Sequence, residues 1–98
     1  MTLEGTARKI APLTREQVRN FSRALDAAQA LGIEHIAQSA VELQCFIRSR
    51  FHYGEFWDCE RELIEIKVDS LMADLIDTED ETAREIATEL NDATDRIM

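Results

Sequence analysis

Helix breakers and special-geometry residues are scarce in this chain: one proline, three glycines and two cysteines among 98 residues. The proline, Pro12, lies near the start, so no proline interrupts any helix after it. Cys45 and Cys59 are too few for a disulfide scaffold and read as small apolar thiols. No stretch approaches the roughly 18 apolar residues of a membrane span. The opening MTLEGTARKI has no apolar core of the kind a secretory leader needs, so a cytoplasmic location is expected. No segment alternates with period two, which argues against a sheet. There is no nucleophile elbow and no phosphate-cradling glycine loop. Neither His35 nor His52 stands in a recognisable pattern with Ser or Cys. The expectation is a protein that is not an enzyme and takes no cofactor.

What the chain has in excess is negative charge, and it is unevenly placed. The formal net charge is −9. Residues 1–54 hold seven cations against five acids, a surplus of +2, whereas residues 55–98 hold four cations against fifteen acids, a balance of −11. A strong field of one sign steers association more than it stabilises a fold, so the C-terminal half is expected to meet a basic partner. At 98 residues the chain makes one domain with one core, and so small a domain gains from a partner or from a second copy of itself. Homodimerisation is therefore one expectation from length alone.

Periodicity predicts an all-α fold after a flexible basic arm over residues 1–13, with the helical domain over 14–98. Thr14 followed by Gln17 reads as a helix start, with Leu13 and Val18 as a hydrophobic staple. Val18, Phe21, Leu25 and Ala28 then recur at helical spacing until Gly32, a residue suited to the left-handed cap. A second helix is predicted over 33–53. Ile33, Ile36, Ala40, Leu43, Ile47 and Phe51 form its stripe, widened by Ala37, Val41 and Cys45. The third, over 55–76, carries two apolar stripes: Trp57, Ile64, Val68, Leu71 and Leu75 on one side, Phe56, Cys59, Leu63, Ile66 and Ala73 on the other. So wide an apolar arc predicts a central helix with several neighbours. Thr78-Glu79-Asp80-Glu81 reads as a capping box opening a last helix over 79–97, with Ala83, Ile86, Leu90, Ala93 and Ile97 inward. Short connections then predict a compact antiparallel bundle of four helices, or three if Gly54 only kinks one long helix.

Two surfaces stand out as candidate binding sites. On the last helix Glu81, Glu85, Glu89 and Asp92 recur every three or four residues opposite the apolar positions. Like charges so spaced cost a few tenths of a kcal/mol per pair unless solvent or a cationic partner offsets them. Glu62, Glu65 and Asp69, with Asp58, extend the acidity onto the third helix and predict a broad negative plate. Such a plate fits a basic protein surface. It also resembles in charge the phosphate backbone that nucleic-acid-binding clefts expect, the principle of phage-type inhibitors that mimic nucleic acid to block host defence enzymes. The second surface joins Phe46, Tyr53 and Arg50 on the side of the second helix away from its core stripe, a pattern typical of protein-binding hot spots or of a contact with another helix or copy.

Other chemistries fit less well. Cys45, His52 and Cys59 are seven residues apart, about 10.5 Å along a helix, too far for ligands about 2.0–2.3 Å from one ion. Glu60 and Asp74 lie between the two stripes of the third helix and are better placed to pair with Lys67 or another helix than to act as a catalytic dyad. Ala28-x-x-x-Gly32-Ile33 resembles a helix-turn-helix, with Arg8, Lys9, Arg15, Arg19 and Arg23 nearby. However, the second helix then offers Glu34, His35, Gln38 and Glu42 where phosphate-binding cations belong. The expected function is that of a small acidic protein-binding module, such as an inhibitor, immunity protein, adaptor or chaperone, that masks a basic partner. The alternative is a nucleic-acid-binding regulator using the basic arm and first helix. No membrane is expected as a partner.

Overall fold

The fold was obtained as a computed structural model and is described for residues 8–97. Four helices, α1 (Arg15–Ala30), α2 (Glu34–Tyr53), α3 (Asp58–Asp77) and α4 (Glu81–Asp95), form the antiparallel bundle that the periodicity predicts. Each packs on its neighbour in sequence, and α1 packs on α4 to close the ring. No helix among the described residues is long and apolar enough to cross a membrane.

Local chemistry sets each boundary. At the start of α1 the Thr14 hydroxyl accepts a hydrogen bond from the Gln17 backbone N–H (3.1 Å), and the Gln17 carbonyl oxygen accepts from the Thr14 N–H (2.8 Å). The same Gln17 side chain donates to the Arg96 carbonyl at 3.1 Å, fastening the beginning of α1 to the end of α4. Gly32 (φ 77°) and Gly54 (φ 83°) both adopt the left-handed conformation, which ends α1 and α2 sharply and makes four helices instead of three. The last cap differs from the expected box. Thr78 closes α3, its hydroxyl donating to the Leu75 carbonyl at 2.7 Å. Glu79 turns the chain at φ 59°, and Asp80 is the true N-cap, accepting from the Ala83 N–H at 3.1 Å. Once Glu79 is left-handed it cannot be helical, so α4 begins two residues later than the spacing suggests.

Two further expectations are corrected. The chain does contain a minimal sheet: β1 (Lys9–Ile10) pairs antiparallel with β2 (Phe56–Trp57), Lys9 opposite Trp57 and Ile10 opposite Phe56. The Asp58 N–H donates to the Arg8 carbonyl (2.8 Å), and the Asp58 carboxylate accepts from the Arg8 N–H (2.9 Å). Two-residue strands are too short to show alternation. Phe56, the β2 residue opposite Ile10, is fully buried. Residues 8–13 of the expected flexible arm are thus tied down, with Leu13 in the core; residues 1–7 lie outside the described residues, as does Met98 of the expected domain.

The second correction concerns α3, which is not central. It packs on α2 and α4 through Ile64, Val68, Leu71 and Leu75, while Cys59, Leu63, Ile66 and Ala73 of its other stripe are exposed. In a four-membered ring every helix has two neighbours, and a second apolar stripe finds no third one to cover it. On α2 the core stripe widens through Gln44, while Val41 and Cys45 are exposed. Gln44 stays satisfied although buried: its carbonyl accepts from Gln29 (3.1 Å) and its amide donates to Asp26 (3.0 Å), a polar clamp between α1 and α2.

Candidate functional site

The acidic stripe is built by the register of α4. Ala83, Ile86, Ala87, Leu90 and Ala93 face inward and are buried, which turns Glu81, Glu85, Glu89 and Asp92 outward; all four are exposed. Among the described residues the ion pairs are Lys9–Glu55 (3.2 Å) and Arg50–Glu60, so no acid of α4 is neutralised by a contact within 4.0 Å. Glu89 and Asp92 border a hollow of about 230 Å³ between α1 and α4, shared with Asn20, Arg23, Ala93 and Arg96. On α3, Glu62 and Asp69 are exposed and Glu65 is half-buried.

The expected continuous plate is divided. Between α3 and α4 runs an open groove of about 450 Å³ lined by Met72, Ile76, Arg84, Ala87, Thr88 and Asn91. Glu65, Asp69, Met72 and Ile76 share one stripe of α3 by their spacing of four, three and four. The acids of α3 and the stripe of α4 therefore flank an apolar channel with Arg84 on its edge, and do not merge into one surface.

On the opposite side of α3 the second surface centres on Arg50. Its guanidinium donates to Glu60 across the α2/α3 seam and lies 5.8 Å from the Phe46 ring centroid and 5.2 Å from that of Tyr53. Glu60 also accepts from the Trp57 N–H at 3.0 Å, so one carboxylate caps α3 and anchors it to α2. This is the interhelical pairing open to Glu60 in the sequence. Phe46 is half-buried against the core edge, while Tyr53 is 61% exposed. Arg50 is a tethered cation, not a free one, and its role at the surface is to hold two aromatic rings in place.

Leu63 and Ile66, which the sequence placed in a buried stripe, enlarge this surface: they are 45% and 64% exposed. Ile66 borders a shallow hollow of about 250 Å³ with Ser39, Glu42, Leu43, Lys67 and Ser70. The signal in the sequence was the double stripe itself, since a helix apolar on two sides needs a cover for each. Cys45 and Cys59 are free and exposed, and no three His, Cys, Asp or Glu side chains among the described residues are grouped to hold a metal ion. Arg15, Arg19 and Arg23 of α1 are exposed, whereas Lys9 is engaged by Glu55. No protein-family model matches this chain, and no curated protein or solved structure matches it.

Proposed function

We propose that this chain is a small protein-binding module that masks a basic surface of a partner protein, acting by steric and electrostatic occlusion and without chemistry of its own. The observation that carries the reading is the stripe Glu81, Glu85, Glu89 and Asp92, four carboxylates on one helix face, all exposed and none in an ion pair among the described residues. Four such charges repel one another at helical spacing. A cationic partner relieves that repulsion, and a surface whose acids outnumber the nearby Arg23 and Arg96 accelerates the encounter. The acids Glu62, Glu65 and Asp69 of α3 add to the negative field from across the groove edged by Arg84. An inhibitor, immunity protein, adaptor or chaperone would each act this way, and an enzyme that binds nucleic acid through a basic cleft is one target class with the matching charge.

The test is capture from a lysate of the source cells by the tagged chain and by its Glu85→Lys/Glu89→Lys/Asp92→Lys variant, at low and moderate salt, with and without nuclease. The reading expects a basic protein that resists nuclease, is lost as salt rises and is not retained by the variant. Recovery of nucleic acid, or of proteins released by nuclease, would overturn it in favour of a nucleic-acid-binding regulator using the arm and Arg15, Arg19 and Arg23.

A further inference from the structure

We infer that the outer side of α3 is the seat of a cationic amphipathic helix supplied by the partner protein. The inference rests on the reading of the chain as a binder of a basic protein, and adds an apolar contact to it. The ring of four helices leaves the second stripe of α3 uncovered: Leu63, Ile66 and Ile76 are 45%, 64% and 51% exposed, and Ala73 is exposed with them. Ile66 borders the hollow shared with α2 and Ile76 the groove shared with α4, so the stripe crosses α3 from one seam to the other. From Leu63 to Ile76 it extends about 20 Å, the length of nearly four turns of a second helix. Apolar surface of this kind is uncommon on a free monomer.

Charge selects a cationic occupant. α3 holds seven acids against two cations, Arg61 and Lys67, and among the described residues Glu60 is the one α3 acid in an ion pair. The exposed Glu62 and Asp69 flank Leu63 and Ile66, and the exposed Asp77 follows Ile76. The seams add one acid, Glu42 of α2, and one cation, Arg84 of α4, so the surplus stays negative. A second copy meeting this face with its own would set the same acids against themselves. Nucleic acid or an anionic lipid surface would add phosphates to them, whereas Lys and Arg are attracted. Backbone chemistry then selects the conformation of the occupant. The amides and carbonyls along the middle of α3 are bonded within the helix, so this face offers no edge to which an extended strand could add. A segment laid on Leu63, Ile66 and Ile76 must satisfy its own backbone groups, as a helix does. Apolar side chains on one face of that helix cover the stripe, and the Lys or Arg beside them reach Glu62, Asp69 and Asp77.

Calorimetric titration of the full chain with a synthetic peptide at near-physiological salt tests this. The probe is a helical peptide of roughly 18 residues made of Leu and Lys, with Leu at i, i+3, i+4 and i+7. Its control has the same residues reordered so that Leu no longer falls on one face. The wild type is expected to bind the amphipathic peptide at least about tenfold more tightly than the reordered one. Leu63→Gln/Ile66→Gln/Ile76→Gln is expected to lose about tenfold or more with the helical circular dichroism of the chain unchanged, because these side chains are already largely in water and Gln is a good helix former. Glu62→Gln/Asp69→Asn is expected to weaken binding and to flatten its salt dependence. Equal affinity for the two peptides, no binding of either, or wild-type affinity in the triple Gln variant overturns the inference. So does a wild type that sediments as a dimer with a triple Gln variant that sediments as a monomer, since a second copy then covers the stripe. The triple Gln variant keeps every acid, whereas the α4 reading is tested on Glu85, Glu89 and Asp92, so the two failures are read from different residues.

Discussion

Replacing Arg50 by alanine probes the junction on which the α2/α3 face depends. The Arg50 and Glu60 side chains retain 26% and 13% of their exposure, so their ion pair lies between two regimes. Exposed pairs contribute about 0–1 kcal/mol, whereas removing one partner of a buried pair costs about 3–5 kcal/mol because a desolvated charge is left behind. Glu60 would keep only the Trp57 N–H as a partner, and the contacts of Arg50 with Phe46 and Tyr53 would be lost. Each of those adds about 0.5–1 kcal/mol at a partly exposed site. The expected cost of Arg50→Ala is therefore about 2–4 kcal/mol. For a domain of this size that lowers the melting temperature by about 8–32 °C, at ~4–8 °C per kcal/mol. Urea unfolding followed by helical circular dichroism at one protein concentration measures it, with the slope unchanged if the transition stays two-state. Adding Glu60→Gln should recover part of the loss, because the amide oxygen still accepts from Trp57 and no unpaired charge remains. If Arg50→Ala costs less than about 0.5 kcal/mol, a value typical of surface substitutions, the pair is ornamental and the seam is held by apolar packing alone.

Two other substitutions test the bundle. Glu79 sits at φ 59°, where a non-glycine residue carries about 1–2 kcal/mol of strain. Glu79→Gly should stabilise the protein by about 0.5–1 kcal/mol, and a drop in melting temperature would refute the left-handed turn between α3 and α4. Leu90 is fully buried on α4, so Leu90→Ala should cost about 2–5 kcal/mol through the cavity it leaves; an unaltered melting temperature would mean a different register for α4, and with it a different orientation of the acidic stripe.

The parts of the fold legible in the sequence were those written in short-range chemistry. Thr14 with Gln17, Gly32 and Gly54 mark boundaries through their own backbone preferences, and they sit at the helix ends as expected. The apolar face of α4 followed from spacing alone, because acids occupy the opposite face and leave one solution. The last cap was misplaced because Thr78 and Asp80 are both good N-cap residues two positions apart, and only the turn geometry at Glu79 decides between them. The strand pair was invisible because it joins segments nearly fifty residues apart over two positions each. Leu63 and Ile66 were assigned to the core because sequence reports that a stripe is apolar without reporting whether a neighbour covers it; the ring of four helices leaves them in water. The surface around Arg50 was half legible. The spacing of Phe46, Arg50 and Tyr53 puts them on one face, but the partner of Arg50, Glu60, comes from another helix.

The most direct test of the acidic-face reading is a titration of the captured partner with the wild type and with Glu85→Lys/Glu89→Lys/Asp92→Lys, each at low and at near-physiological salt. The account predicts that wild-type affinity falls as salt rises and that the variant binds at least about tenfold more weakly with little salt dependence, since the complementary charges that confer both properties are gone. An affinity unchanged in the triple variant, with the fold intact by circular dichroism, would contradict the assignment of α4 as the surface that meets the partner.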